Sequence, residues 1–485
     1  MARGYGRRPA LTCAALVALL AVTGCGPAGQ TGPIAPTGPR ASELYAADGH
    51  TLVARFDDGD PHASCLAVPV NDWGFYCDYL VTWWAAQPSF GGDAAQRLDR
   101  LRHGGYRITG SLDVKLEKAA VSRVEAQRPT GGPGLLTVLS LQPGTGRIRA
   151  MATNRKFAAS AQPSPTGPYS PVVDYPQTTA AVFSGERGLQ APGSTYMMFT
   201  VVAALEKGIP LGHLIDTQRR YVSGFALDAR NPAACQGPHY CPTAAPDDPL
   251  GPRTMWEALS HRMTTYFVPL EEQVGADAVV DVAKRLGITF PGQADAALLA
   301  RNGKDWGSFT LGVVGTSTLD LADAYATLGA DGVHCDPLPV AGIAGTDGRP
   351  VPGGEPHCTS VLRPDVARAA LDAGRCPVGD RSAFGDVCGA PGPAAEVRAL
   401  VGQPVAGQLG LLPGDYRNTS ALVVVDPQVV TAGFDTDSPR CAGCDRPGPA
   451  DIAATVRAVA GTQHDALAGL SSVDIPAPPA SLARG

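Results

Sequence analysis

The sequence predicts an α+β body behind a targeting segment. Two strand–turn–strand patterns frame that body, at 135–152 (LLTVLSLQPGTGRIRAMA) and 419–434 (TSALVVVDPQVVTAGF). Between them the apolar spacing turns helical at 194–207, 254–263, 275–286 and 318–328. With 485 residues and 44% hydrophobic content the chain is long enough for two or three domains and a sizeable core. Its 58 Gly and 44 Pro predict long loops and at least one linker. The 39 basic against 45 acidic residues give a formal net charge of −6, which argues against nucleic acid as a partner.

Taken in chain order, residues 1–24 read as a signal peptide. Arg3, Arg7 and Arg8 form its basic start, and ALTCAALVALLAVT (10–23) is an apolar run too short to span a bilayer comfortably. Val22-Thr23-Gly24-Cys25 resembles a bacterial lipobox, which implies lipidation at Cys25 and a membrane anchor on the extracytoplasmic face. Residues 25–42 are a Gly/Pro linker. Export fits the cysteines. Of 12, setting aside Cys13 and Cys25 leaves sequence-local pairs: Cys65/Cys77, Cys235/Cys241, Cys335/Cys358, Cys376/Cys388 and Cys441/Cys444. In an exported chain these read as disulfides. The Cys441-Ala-Gly-Cys444 spacing also suits half a zinc site or a redox pair, but no second CxxC exists and no His is close, so the disulfide reading is preferred.

Residues 43–57 read as two short strands around Asp48-Gly49. Trp73, Phe75, Tyr76, Tyr79, Trp83 and Trp84 crowd into 66–84, which suggests packing against the main body, with a ligand platform as the sharper alternative. Residues 113–127 have helical spacing. In STYMMFTVVAALEK (194–207), Ser194 stands at the cap or first turn, and Gly208-Ile209-Pro210 ends the helix. Residues 450–468 read as a closing helix and 471–485, rich in Pro, Ala and Ser, as a disordered tail.

Several of these stretches together resemble the penicillin-binding protein transpeptidase domain, in the form found in bifunctional class A enzymes of actinobacterial type. They are GGYRITGSLDVKLEKAA (104–120), LLTVLSLQPGTGRIRAMATN (135–154), APGSTYMMFTVVAALEKGIP (191–210), TMWEALSHRMTTYFVPLEEQVGADAVVDVAKRLGI (254–288), STLDLADAYATLGADGVHCDP (317–337) and VAGQLG (405–410). The resemblance implies a central antiparallel sheet flanked by helices, over 131–470. It makes 43–130 an N-terminal remnant and linker segment: 41–56 and 74–80 resemble the entry to and exit from a glycosyltransferase domain. Only residues 57–73 lie between them, too little chain for that domain's core, so no polymerising activity is expected.

The same family implies three catalytic motifs, and here each is degraded. In Ser-x-x-Lys, a lysine one turn after the serine takes the hydroxyl proton; the chain has Ser194-Thr195-Tyr196-Met197, and a thioether accepts no such proton. The Ser-x-Asn relay and amide-binding positions are Arg262, Met263 and Thr264. The Lys-Thr-Gly positions, which bind the substrate carboxylate and admit its backbone, are Gln408, Leu409 and Gly410. None of the six lysines follows a serine by three, and neither Ser-x-Asn nor Lys-Thr-Gly occurs anywhere. His261 is the one alternative base for Ser194, though a surface or satisfied core histidine is the commoner case. The nine histidines are scattered without a His-x-x-x-His pair, and neither metal nor cofactor is expected. The expectation is a lipid-anchored pseudoenzyme that binds peptidoglycan peptides, β-lactams or a cell-wall synthase. Two alternatives stand: a weak acyl-serine enzyme using Ser194, and a purely structural envelope lipoprotein.

Overall fold

The computed structural model describes residues 40–132, 134–159, 178–184, 190–301, 303–412, 419–436 and 449–484. The expected signal peptide, the expected lipidation site Cys25, most of the expected linker and the Cys441/Cys444 pair lie outside these residues. Pro39–Gly485 form one compact unit.

Its centre is a five-stranded antiparallel sheet: β1 (Leu135–Gln142), β2 (Arg147–Thr153), β3 (Ala406–Leu412), β4 (Thr419–Val425) and β5 (Val430–Thr436), in the order β3-β4-β5-β1-β2. The two hairpins read from the sequence are therefore joined edge to edge through β5 and β1, with Val430 opposite Leu141 and Thr436 opposite Leu135. Both sheet faces are covered, which explains strands that are apolar throughout rather than alternating. On one face lie the Met197–Glu206, Thr318–Gly329 and Pro364–Arg375 helices; on the other, Val114–Glu125 and Pro449–Leu467. Each core takes alternate residues of β3: Ala406 enters the first, Leu409 the second.

The N-terminal segment is built into this body. Its four-stranded sheet has the order Val340–Ala344, Arg107–Gly110, Ser42–Tyr45, Leu52–Phe56, so its first edge strand comes from the transpeptidase-like region. The aromatic run forms the Trp73–Ala86 helix. Phe75 meets Phe157 edge-on at 5.3 Å and Phe183 at 5.6 Å, and Trp84 stacks on Phe90 at 3.7 Å. Most of the run is thus core.

Disulfides join Cys65–Cys77, Cys235–Cys241, Cys335–Cys358 and Cys376–Cys388. The expected disordered tail is corrected over 471–484. Ile475 and Ala483 are buried, and Arg375 binds both Asp474 (2.6 Å) and the Ile475 carbonyl (2.9 Å). Ala480–Arg484 forms a helical turn whose Leu482 and Ala483 carbonyls accept from Leu211 N and Gly212 N. Its composition is loop-like, but three apolar side chains and one arginine partner suffice to hold it.

Candidate functional site

The first motif begins on a tight turn. Gly193–Tyr196 is a 3₁₀ turn that runs into the Met197–Glu206 helix, so Ser194 sits two residues before that helix's cap residue, Tyr196. Gly193 has φ +58°, and a Cβ there would lie 2.7 Å from Leu411 N. The turn is clamped from three sides. Thr195 Oγ1 donates to Pro192 O (2.9 Å), Tyr325 Oη to Thr195 O (2.7 Å), and Tyr196 Oη pairs with Thr316 Oγ1 (2.5 Å). Ser194 itself is 8% exposed, and among the described residues its hydroxyl has no hydrogen-bond partner. Met197, where the family lysine would stand, is wholly buried in the first core.

The third motif is the edge strand β3, whose free side runs along that turn. Gln408 is completely buried. Its Nε2 donates to Ser194 O and to Leu259 O, both at 3.3 Å, and so ties the serine turn to the helix that leads into the second motif. Its Oε1 is buried and has no partner among the described residues. Gly410 lies on the same strand face. A Cβ there would fall 1.9 Å from Pro192 O, so the space a glycine leaves is filled by the chain's own carbonyl. Leu409 is not part of this cluster: its side chain points through the sheet into the second core.

The second motif is split. The Met255–His261 helix starts on a capping box, with Thr254 and Glu257 bonding each other's backbone, and ends at Arg262 in the left-handed conformation (φ +57°). Burial pushes the Asp248 carboxyl up, and the charges of Arg262, His261 and Arg219 oppose that shift; the field of Arg262 is thus felt in the 248 loop. Thr264 begins the next helix, Thr264–Val274, and its Oγ1 donates to Thr243 O (2.9 Å). Its hydroxyl is used to hold a loop. His261 makes no hydrogen bond to Ser194 among the described residues. Ser260, one residue earlier, is buried with Oγ unpartnered among the described residues, beneath Gly392.

The structure therefore brings Ser194, Gln408, Gly410 and the end of the Met255–His261 helix together, and leaves Leu409 and Thr264 with other tasks. Chemically, a serine attack needs a proton acceptor at hydrogen-bond distance. Among the described residues none is placed so. The sequence reading named these positions but not the amide bridge of Gln408 or the contact of Pro192 with Gly410; both depend on the close approach of segments roughly 150 to 220 residues apart, which no local pattern encodes.

Residues 136–361 match the family "Penicillin binding protein transpeptidase domain". Penicillin-binding protein 1A of Mycobacterium tuberculosis is 28% identical over 254 residues, which are 50% of this chain and 26% of that protein. The protein of the same name from Mycolicibacterium smegmatis is 27% identical over 253 residues, 50% of this chain and 27% of that one. The matched part thus spans about a quarter of these relatives' length. Among solved structures, PonA1 of M. tuberculosis in complex with penicillin V aligns with a TM-score of 0.58 at 21% identity, covering 78% of this chain and 89% of that one. Penicillin binding protein 3 of M. tuberculosis, apo form, aligns with a TM-score of 0.61 at 15% identity, covering 91% and 99%. At these identities the structural likeness establishes the fold.

Proposed function

From the premise that this chain carries a penicillin-binding-protein transpeptidase domain, matched over residues 136–361, we propose that it is a non-catalytic member of the fold which recognises cell-wall ligands or partners without acyl transfer. One observation carries this reading. Where the family resemblance puts a lysine beside the serine there is buried Met197, and where it puts the third motif's lysine there is Gln408, whose amide is bound to two backbone carbonyls. Proton acceptor, relay and carboxylate-binding groups are missing together, so no single local repair restores the reaction.

The proposal includes a lipid tether at Cys25 and a place on the outer face of the cytoplasmic membrane. The lipobox-like Val22-Thr23-Gly24-Cys25 supports it, and among the described residues no helix is long and apolar enough to cross a membrane. Its partners in this reading are peptidoglycan peptides or active cell-wall synthases. Cys25→Ala should move the protein out of the membrane fraction; unchanged retention would mean another anchor.

The reaction itself is tested by intact mass after incubation with a reactive penicillin, beside Ser194→Ala. The reading expects no adduct on either protein. A second reading, slow acylation at Ser194, is favoured by that residue's place at 8% exposure on the turn beside β3. It would be established by an adduct on the parent protein that Ser194→Ala abolishes.

A further inference from the structure

Not all of the aromatic run is core. On the Trp73–Ala86 helix, Tyr79 and Trp83 stand one turn apart, and Gln87 follows as the cap residue one turn on, so the three form one stripe. Tyr79 and Trp83 are half-buried. Trp83 is propped edge-on by Trp84 at 6.4 Å and Phe90 at 6.2 Å, which fixes its ring in place. Facing the stripe is a wall from a different part of the chain: Asp336, Pro337 and Leu338 on one side, Gly353, Glu355 and His357 on the other. Together they enclose a cleft of about 250 Å³.

This wall is built. The Cys335–Cys358 disulfide joins two short paired strands, and Asp336 and His357 are the residues adjoining it. Asp336 N donates to His357 O at 3.0 Å, and Gly353 N donates to Glu355 Oε2 at 2.7 Å, which orients that carboxylate. The lining therefore holds two carboxylates, two aromatic rings and no lysine or arginine among the described residues. The Tyr79 hydroxyl is pushed up first by burial and then by the nearby carboxylates of Asp323, Asp320 and Asp336, of which Asp323 is paired with His334 at 2.8 Å.

We propose that this cleft is a binding site for an alkylammonium group, the amino end of a lysine-like or diamino-acid side chain, whose stem lies along Tyr79 and Trp83 and whose charge meets Asp336 and Glu355. An ammonium is held by the negative faces of aromatic rings and by carboxylates at once, whereas a neutral chain of the same shape gains only the apolar contact. The volume suits it. A cleft of about 250 Å³ is large enough to take such a side chain. The site is separate from Ser194 and stands whether or not that serine reacts.

The test uses the purified protein, with Nα-acetyl-lysine amide as probe and Nα-acetyl-norleucine amide as its uncharged counterpart, followed by calorimetry and ligand-observed saturation-transfer NMR at pH 8. The lysine probe should bind roughly tenfold or more tightly than the norleucine probe. The double variant Asp336→Asn, Glu355→Gln should lose roughly tenfold in affinity for the lysine probe and little for the other; both residues are exposed, so the fold is kept, which circular dichroism checks. Equal binding of the two probes would overturn ammonium recognition. Undiminished binding by the double variant would overturn the location, and no binding at roughly 20 mM would overturn the site itself.

Discussion

At the scale of single residues, two buried groups decide how the site behaves. Met197 is surrounded by core, so a lysine there has no water to stabilise its charge. Met197→Lys is therefore expected to destabilise the protein by about 3–5 kcal/mol at pH 7, the cost of holding the amine neutral or breaking the packing. Urea unfolding measures it; a loss below about 1 kcal/mol would show that the site still has room for the cation. Glu117 is the second group. It is buried on the Val114–Glu125 helix, accepts from Met151 N through Oε2 (2.7 Å), and its carboxyl is pushed up to about 8, chiefly by burial, against the downward pull of that hydrogen bond. In the folded state it holds a proton that the unfolded chain releases near its ordinary value. Its contribution is thus complete below about pH 4.5 and is lost as pH rises through about 8. Glu117→Gln keeps an acceptor for Met151 N without the charge. Its stability should fall less than the parent's between pH 5 and 8, by on the order of a few kcal/mol; parallel curves for the two proteins would contradict the assignment.

At the scale of elements, the meeting of β3 with the serine turn shows what was legible beforehand and what was not. The hairpins, the helix after Ser194 and the capping box at Thr254 follow from local pattern: period-2 or continuous apolar runs, a Pro-Gly-Thr-Gly turn, Thr and Glu at the right spacing. The retained Gly193 and Gly410 suggest a working groove when read as letters. In the fold each has a packing reason, since Leu411 N and Pro192 O occupy the space a side chain would take. That contact removes them as an argument for an open groove. The tail shows the converse case. Its Pro, Ala and Ser composition reads as loose, yet Ile475, Leu482 and Ala483 find apolar surface and Arg375 finds Asp474. Deleting 471–485 should cost about 3 kcal/mol or more, from two lost large apolar side chains and a buried arginine stripped of two partners. A shift in the unfolding midpoint equivalent to less than about 0.5 kcal/mol would mean that the tail only rests on the surface.

At the scale of the whole molecule, the chain has the fold of the penicillin-binding-protein structures it aligns with: five antiparallel strands, helices on both faces, and an N-terminal sheet completed by a strand from the main body. This part was readable because burial patterns run over many residues. The motif positions rest on the resemblance, which spans several stretches in order. What remained hidden was which of those positions meet: Leu409 faces the wrong core, Thr264 holds a loop, and Gln408 bridges two segments. We propose that Ser194 carries no acyl transfer while the scaffold keeps the family's shape. The most direct measurement is covalent labelling by a fluorescent penicillin, read after denaturation. It compares the parent protein, Ser194→Ala, Met197→Lys alone, and a variant with all three motifs restored (Met197→Lys, Arg262→Ser, Thr264→Asn, Gln408→Lys, Leu409→Thr). The account predicts no label on the parent above that on Ser194→Ala, and none from Met197→Lys alone beyond a trace, so that any substantial labelling needs the full set. Stoichiometric label on the parent protein, absent from Ser194→Ala, would contradict it.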